Sequence, residues 1–144
     1  MKDFLNYMKE NLFIVILYPI LTMVITILLA LLIIPTSINA KTYSKKECKN
    51  YAYKQVLKKG WSLNDYNNLV KLWNKESGWR ATARNKRSGA CGIPQAYPCS
   101  KMKKYGRDYK TNCKVQINWG LTYIKSRYKT PTKAWKHFQK KHWY

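Results

Sequence analysis

From Leu12 to Ile34 the chain runs for 23 residues without a charged side chain, against the roughly 20 apolar residues that carry a helix across a bilayer. No other feature limits the fold as much, because it sets the first forty residues apart from everything that follows. Pro35, Thr36 and Ser37 end the run, and Ile38-Asn39-Ala40 can serve as a cleavage site with Ala40 in its last position. The run exceeds the roughly 7–15 apolar residues of an ordinary signal peptide, and its leading flank is not strongly basic. A transmembrane anchor is therefore expected ahead of a cleaved signal peptide. Lys2 and Lys9 before the span are balanced by Asp3 and Glu10, whereas Lys41, Lys45 and Lys46 follow it. Taken alone, that bias would hold the C-terminal part inside, but it weakens for long translocated domains. The expected organisation is an anchor or signal segment over 1–40, a basic linker over 41–46, and one small domain over 47–144.

Because the charges before the span cancel, the whole formal net charge of +22 falls on the part after it. Such a surface seeks polyanions: nucleic acid, anionic lipid, or the anionic polymers and peptide carboxylates of a bacterial wall. Only four acids stand against it: Glu47, Asp65, Glu76 and Asp108. The four cysteines (Cys48, Cys91, Cys99 and Cys113) also lie after the span, none in a C-x2-C pair. With only two histidines, His137 and His142, no zinc site is expected, and neither is any cofactor. Two disulfides suit an exported small domain, and three connectivities are open.

Helical period recurs through most of this part. Glu47 to Lys59 is expected to be helical, with Tyr51, Val56 and Leu57 available to pack and Gly60 ending it. Ser62 caps the next helix, with Asp65 in its first turn. Leu63, Tyr66, Leu69, Val70 and Trp73 form its apolar stripe, and Gly78 offers its stop. Continued by one step, that stripe places Glu76 on the inward face of the last turn, beside Trp73 and Trp79. Burial and the negative end of the helix dipole both raise a carboxyl's pKa there, which is the setting of a general acid. A bland alternative has Glu76 reaching out to Lys75. From Arg80 to Arg107 the period disappears, and a loop or small hairpin is expected. Period resumes after Thr111-Asn112 through Val115, Trp119, Tyr123, Ile124 and Arg127, and Thr130-Pro131 opens a last helix carrying Trp135 and Phe138. The fold class expected is mainly α.

Ordered blocks in this part resemble a known family. They are Glu76-Ser77-Gly78-Trp79, then Ser88-Gly89-Ala90-Cys91-Gly92-Ile93-Pro94-Gln95-Ala96, then Ser100-Lys101-Met102. Asp108 with Thr111-Asn112, Gln116-Ile117 with Trp119, and Tyr123-Ile124 with Arg127-Tyr128 follow. Ala134-Trp135 with His137 and a closing Trp143-Tyr144 complete the series. From about Tyr66 onward the chain resembles lysozyme-like lytic transglycosylases, and within them the aggregation-promoting-factor type of cell-surface domain. The resemblance implies a small lysozyme-like helical fold that grips a glycan strand in a cleft. It implies that Glu76 is the general acid and that Ser77 supports it. Gly92 and Gln95 would face the sugar, Tyr123 would line the groove, and Trp135 would close its far wall; Tyr97 and His137 are carried as further groove residues. Cys91 and Cys99 stand where such domains look like Tyr and Gly. That joint departure suggests a Cys91–Cys99 bridge, with Cys48–Cys113 as the second.

The acids then bear on mechanism. Glycosidases of most kinds use two carboxyl groups about 5–5.5 or 6.5–9.5 Å apart. Asp65 lies eleven residues before Glu76, about 16 Å along a helix, and Asp108 reads as a capping acid. One glutamate would have to serve as acid and then as base, closing the sugar on its own 6-hydroxyl. The expected function is that of a peptidoglycan lytic transglycosylase, monomeric, held to the membrane with its domain on the wall face, or secreted if cut after Ala40. A water-using muramidase is the nearest competitor. A non-enzymatic cationic wall-binding or adhesion module belongs to another class, and a tethered nucleic-acid binder is disfavoured because no base-reading motif is present.

Overall fold

The computed structural model describes residues 1–32 and 42–144. It divides into two compact units, Met1–Asn39 and Ala40–Tyr144. In the first, α1 (Lys2–Glu10) buries no side chain and ends at Asn11. A π-helical stretch, Phe13–Leu17, then leads into α2 (Tyr18–Leu32). The expected span over 12–34 is thus not one regular α-helix. Its described α-helical part, α2, has 15 residues. Among the described residues no helix is long and apolar enough to cross a membrane. Ile33, Ile34, the cleavage site at Ala40 and Lys41 of the linker lie outside the described residues.

The second unit is helical and, among the described residues, has no strand beyond two isolated bridges, Arg84 with Cys91 and Cys91 with Ala96. Its first helix, α3 (Lys45–Lys58), starts earlier than expected. Ser44 and Glu47 form a capping box, each side chain bonded to the other's backbone amide, so Ser44–Lys46 belong to the helix start and not to a free linker. Cys48, Ala52 and Val56 face inward, while Leu57 is exposed.

The next helix, α4 (Leu63–Ser77), repeats the device with Ser62 and Asp65. Its buried face is rotated from the expected stripe: Leu63 is exposed, and Asp65, Asn68, Leu69, Leu72, Trp73 and Ser77 are covered. The polar members are paired. Asp65 accepts from Thr132 Oγ1 (2.7 Å) and its amide (3.2 Å), and Asn68 Nδ2 donates to Thr132 Oγ1 (3.0 Å). Thr132 lies in the first turn of α6 (Pro131–Lys141), so these bonds tie α4 to α6. Burial alone would raise the Asp65 pKa, but the bonds from Thr132 and Ser62 outweigh it and hold the carboxyl below its ordinary 3.8.

Between them in sequence, α5 (Cys113–Tyr128) is capped by Asn112 and buried on several sides, including Val115, Gln116, Ile117, Trp119, Leu121 and Ile124. A single apolar stripe would have left one side wet; this helix is instead the centre of the core, with α3, α6 and a short 3₁₀ helix (Cys99–Tyr105) packed on it. The 3₁₀ helix was not expected, since only Met102 within it is fully covered. A Cβ on Gly120 would stand 2.7 Å from Trp73 Cζ2 and 3.0 Å from Pro94 Cβ, so glycine lets the indole of α4 and the loop lie directly on α5. Two disulfides fasten the domain: Cys48–Cys113 joins α3 to the start of α5, and Cys91–Cys99 joins the loop to the 3₁₀ helix.

Candidate active site

Helix α4 stops abruptly after Ser77, one residue beyond Glu76. Gly78 turns left-handed (φ 61°), and so does Trp79 (φ 62°). A bulky residue there is strained. Trp79 is held in place because its ring is buried edge-on against Trp73 (centroids 5.2 Å apart) and its Nε1 donates to Val70 O at 3.3 Å. Glu76 is left half-buried at the helix end and, among the described residues, makes no hydrogen bond or ion pair; the reach to Lys75 is not made. Burial pushes its carboxyl from the ordinary 4.5 up to about 7. Its neighbour Ser77 is fully covered and donates to Ile93 O at 2.9 Å, fastening the helix end to the loop.

Glu76 opens into a cavity of about 410 Å³ whose walls come from three places in the chain. Asn85, Ser88, Ala90 and Gln95 form one wall; Phe138, His142, Trp143 and Tyr144 form the other. In the first, Asn85 Oδ1 accepts from the amides of Arg87 and Ser88, both at 3.0 Å, which shapes the turn. Gln95 is left-handed (φ 48°) and its Nε2 bonds to Gly92 O at 3.0 Å. The second wall forms because His142 takes a left-handed conformation (φ 60°) as the C-cap of α6, turning the chain back. Tyr144 then inserts its hydroxyl between two fixed partners, accepting from Trp73 Nε1 (2.8 Å) and donating to Pro94 O (2.9 Å). Burial first, and the adjacent Glu76 charge second, push that phenol well above its ordinary 10.0, so it stays a neutral hydrogen-bonding group.

Behind the loop sits Gln116, wholly buried in the first turn of α5. Its Oε1 accepts from the Ile93 amide (2.9 Å), and its Nε2 donates to Ala81 O and Tyr109 O (both 2.8 Å). One side chain thereby fixes three irregular backbone segments beneath the cavity floor. Gly92 (φ 73°) rests against it so closely that a Cβ there would meet the Gln116 amide at 2.7 Å.

Two further cavities continue the first. One of about 200 Å³ shares Gln95 and Tyr144 with it and adds Tyr97, Lys101, Trp119, Tyr123 and Arg127. A larger one of about 760 Å³ shares Lys101, Trp119 and Tyr123 with the second and is bordered by Lys103, Lys104 and Tyr105. Through these shared residues the three lie side by side as one lined groove. Glu76 is the one acidic side chain among the residues that line it. Asp108 is exposed and accepts from Asn112 Nδ2 at 2.7 Å, and Asp65 is engaged at the far end of α4.

Of the residues expected at the site, Glu76 and Gln95 share the first cavity, and Gln95, Tyr97 and Tyr123 share the second. Ser77 and Gly92 lie behind them as supports. Trp135 and His137 line none of the three: Trp135 stacks on Phe138 (5.7 Å), and His137 packs between Tyr128 and Trp143. Sequence reasoning gave no role to Gln116, Trp143 or Tyr144. A buried-looking Gln between Val115 and Ile117 was the available signal for the first; the turn that returns the other two has none. Among the described residues no cluster of three His, Cys, Asp or Glu is placed to hold a metal ion. No protein-family model, curated protein or solved structure matches this chain.

Proposed function

We propose that this chain cleaves the glycan strands of peptidoglycan as a lytic transglycosylase, with Glu76 as its only acid and base. The observation that carries the reading is a solitary carboxyl, held at about 7 by burial, in a groove with no second acid among its lining residues. A pKa near the working pH suits a group that gives up a proton and takes one back. In the proposed reaction the Glu76 carboxyl protonates the glycosidic oxygen as its bond to C1 of the muramyl sugar breaks. The neighbouring N-acetyl carbonyl stabilises the cation at C1. The Glu76 carboxylate then takes the proton of the same sugar's 6-hydroxyl, whose oxygen closes on C1. The product is a 1,6-anhydro end, no water is consumed, and Glu76 finishes protonated as it began. Gln95 and the neutral Tyr144 hydroxyl border the reacting position as hydrogen-bonding groups.

The reading extends to the first unit. In α2 most of the described side chains are apolar and exposed, which favours a lipid surrounding over water. On this proposal the run over 12–34 anchors a monomeric enzyme to the membrane with its domain on the wall face, or is a leader removed after Ala40. The test is incubation of the oxidised full chain, wild type and Glu76→Gln, with purified peptidoglycan, followed by mass spectrometry of released fragments. Anhydro-muropeptides from the wild type alone are expected. Products one water heavier, with reducing ends, would make the enzyme a muramidase. Tight wall binding without release by either protein would replace the enzyme with a wall-binding module.

A further inference from the structure

The cavity of about 760 Å³ lies at the end of the groove away from Glu76, and its construction follows from a seven-residue 3₁₀ helix, Cys99–Tyr105. Residues three apart eclipse one another in such a helix. Cys99, Met102 and Tyr105 form the row that packs inward with Trp119. Lys101 and Lys104 form a second row, and Lys103 stands in a third with Ser100; all three lysines are exposed and border the cavity. Lys104 is further placed by the Tyr105 ring, whose centroid is 5.5 Å from its ammonium. The opposite wall is one face of α5. There the buried Trp119 stacks nearly parallel against the half-buried Tyr123 (centroids 5.3 Å, planes 9° apart), which holds the Tyr123 ring rigid at the cavity edge beside Thr122 and Ser126. No acidic side chain borders this end.

We infer that this basic end is a subsite for the carboxylates of stem peptides on the same glycan strand that Glu76 cleaves, so that the enzyme prefers peptide-bearing strands to naked ones. The inference rests on the glycan-cleaving reading. A strand running from Glu76 past Gln95 and Tyr144 reaches Tyr123 and Trp119 next, because successive cavities share those residues. Whatever the sugars carry is then delivered to Lys101, Lys103 and Lys104. On peptide-bearing strands the stem-peptide carboxylates are attached to the sugars in the groove, whereas phosphate polymers need not enter the groove at all; that favours the carboxylate as the occupant. Three exposed lysines each contribute a modest, salt-screened attraction, so discrimination of about tenfold is expected.

The test compares the full chain with a Lys101→Gln/Lys103→Gln/Lys104→Gln variant on three forms of one peptidoglycan freed of phosphate polymers. These are untreated strands, strands with peptide carboxylates amidated, and strands stripped of peptides by an amidase. For the wild type, KM is expected to be about tenfold lower on untreated than on amidated or stripped strands, with a similar kcat, and the difference should shrink with added salt. For the variant the three KM values should converge. A wild type that treats all three alike, or a variant weakened equally on all three, overturns the inference. So does a preference found only while phosphate polymers are present. If the wild type releases nothing from any substrate, the catalytic reading has failed. The subsite is then read by co-sedimentation of Glu76→Gln chains with the same strands, where loss of the three lysines must weaken binding to untreated strands alone.

Discussion

Replacing Glu76 with Gln should abolish cleavage and at the same time make the protein more stable, but only at a pH where the glutamate would be charged. The carboxyl titrates at about 7 in the folded chain and at 4.5 when water surrounds it. Between those values the folded state keeps a proton that the unfolded chain has released, so stability falls as pH rises, and above about 7 the full cost of a buried charge is present. At about 1.4 kcal/mol per tenfold, the gap corresponds to roughly 3 kcal/mol. Part of the carboxylate still touches water, and the strongly positive domain favours its ionised form; a net cost of roughly 2 kcal/mol is the expected value. Gln has nearly the same shape and no charge to bury. At pH 8 the variant should therefore resist unfolding by roughly 2 kcal/mol more than the wild type, or melt on the order of 10 °C higher. Near pH 4 the two should coincide. All six tryptophans lie after residue 40, so urea titrations followed by tryptophan fluorescence, with disulfides intact, report on the second unit. Equal stabilities at pH 8, or the same difference at pH 4 and pH 8, would refute the claim that burial controls this carboxyl.

Further outcomes follow from the same structure. Gln116→Leu keeps the volume but leaves the Ile93 amide and the carbonyls of Ala81 and Tyr109 without their partner; a loss of about 3 kcal/mol in urea unfolding is expected, with activity reduced through a loosened Gln95 loop. Asp65→Ala should cost about 2 kcal/mol at neutral pH through loss of the capping box and the link to Thr132. Because the Asp65 carboxyl is held below 3.8, the wild-type advantage is full above that pH and disappears as pH falls through the folded value, which acid titration of both proteins will show. Removing Cys48–Cys113, which closes a span of 65 residues, should lower stability by about 4 kcal/mol. On peptidoglycan, the wild-type rate should decline above about pH 7 as Glu76 loses its proton, and Asp65→Ala should keep that limb in place.

How far the sequence predicts the fold differs from element to element for physical reasons. Ser62, Gly78, Asn112 and Thr130-Pro131 mark helix ends through bonds made within a few residues, and the helices begin or end where those residues stand. Ser44-x-x-Glu47 is the same kind of signal, hidden inside a run of lysines that reads as a linker. The buried face of α4 was misread because its inner row carries Asp65 and Asn68, whose partner Thr132 is more than sixty residues away. Glu76 was legible as an inward carboxylate at a helix end, since both position and type are local. The opposite wall of its cavity was not: Trp143 and Tyr144 arrive there through the backbone turn at His142, and Tyr144 is held by Trp73 and Pro94 across long separations. Trp135 was placed at the groove by resemblance, whereas the helix that carries it stacks it on Phe138; His137, read as a packing or groove residue, packs between Tyr128 and Trp143.

The amide of Gln116 also sets a filter on which sequences can share this architecture. Its site asks for one acceptor and two donors in a space closed to water and walled by Gly92. Glutamate offers no donors, asparagine is one carbon shorter, lysine has no acceptor, and an apolar side chain satisfies nothing. Surface lysines and most core residues can be exchanged for others of similar kind, but this position, together with the glycine it touches, has almost no synonyms. A distant chain with little else in common could therefore be recognised by a buried glutamine in the first turn of a helix, some forty residues after a glutamate in the last turn of another.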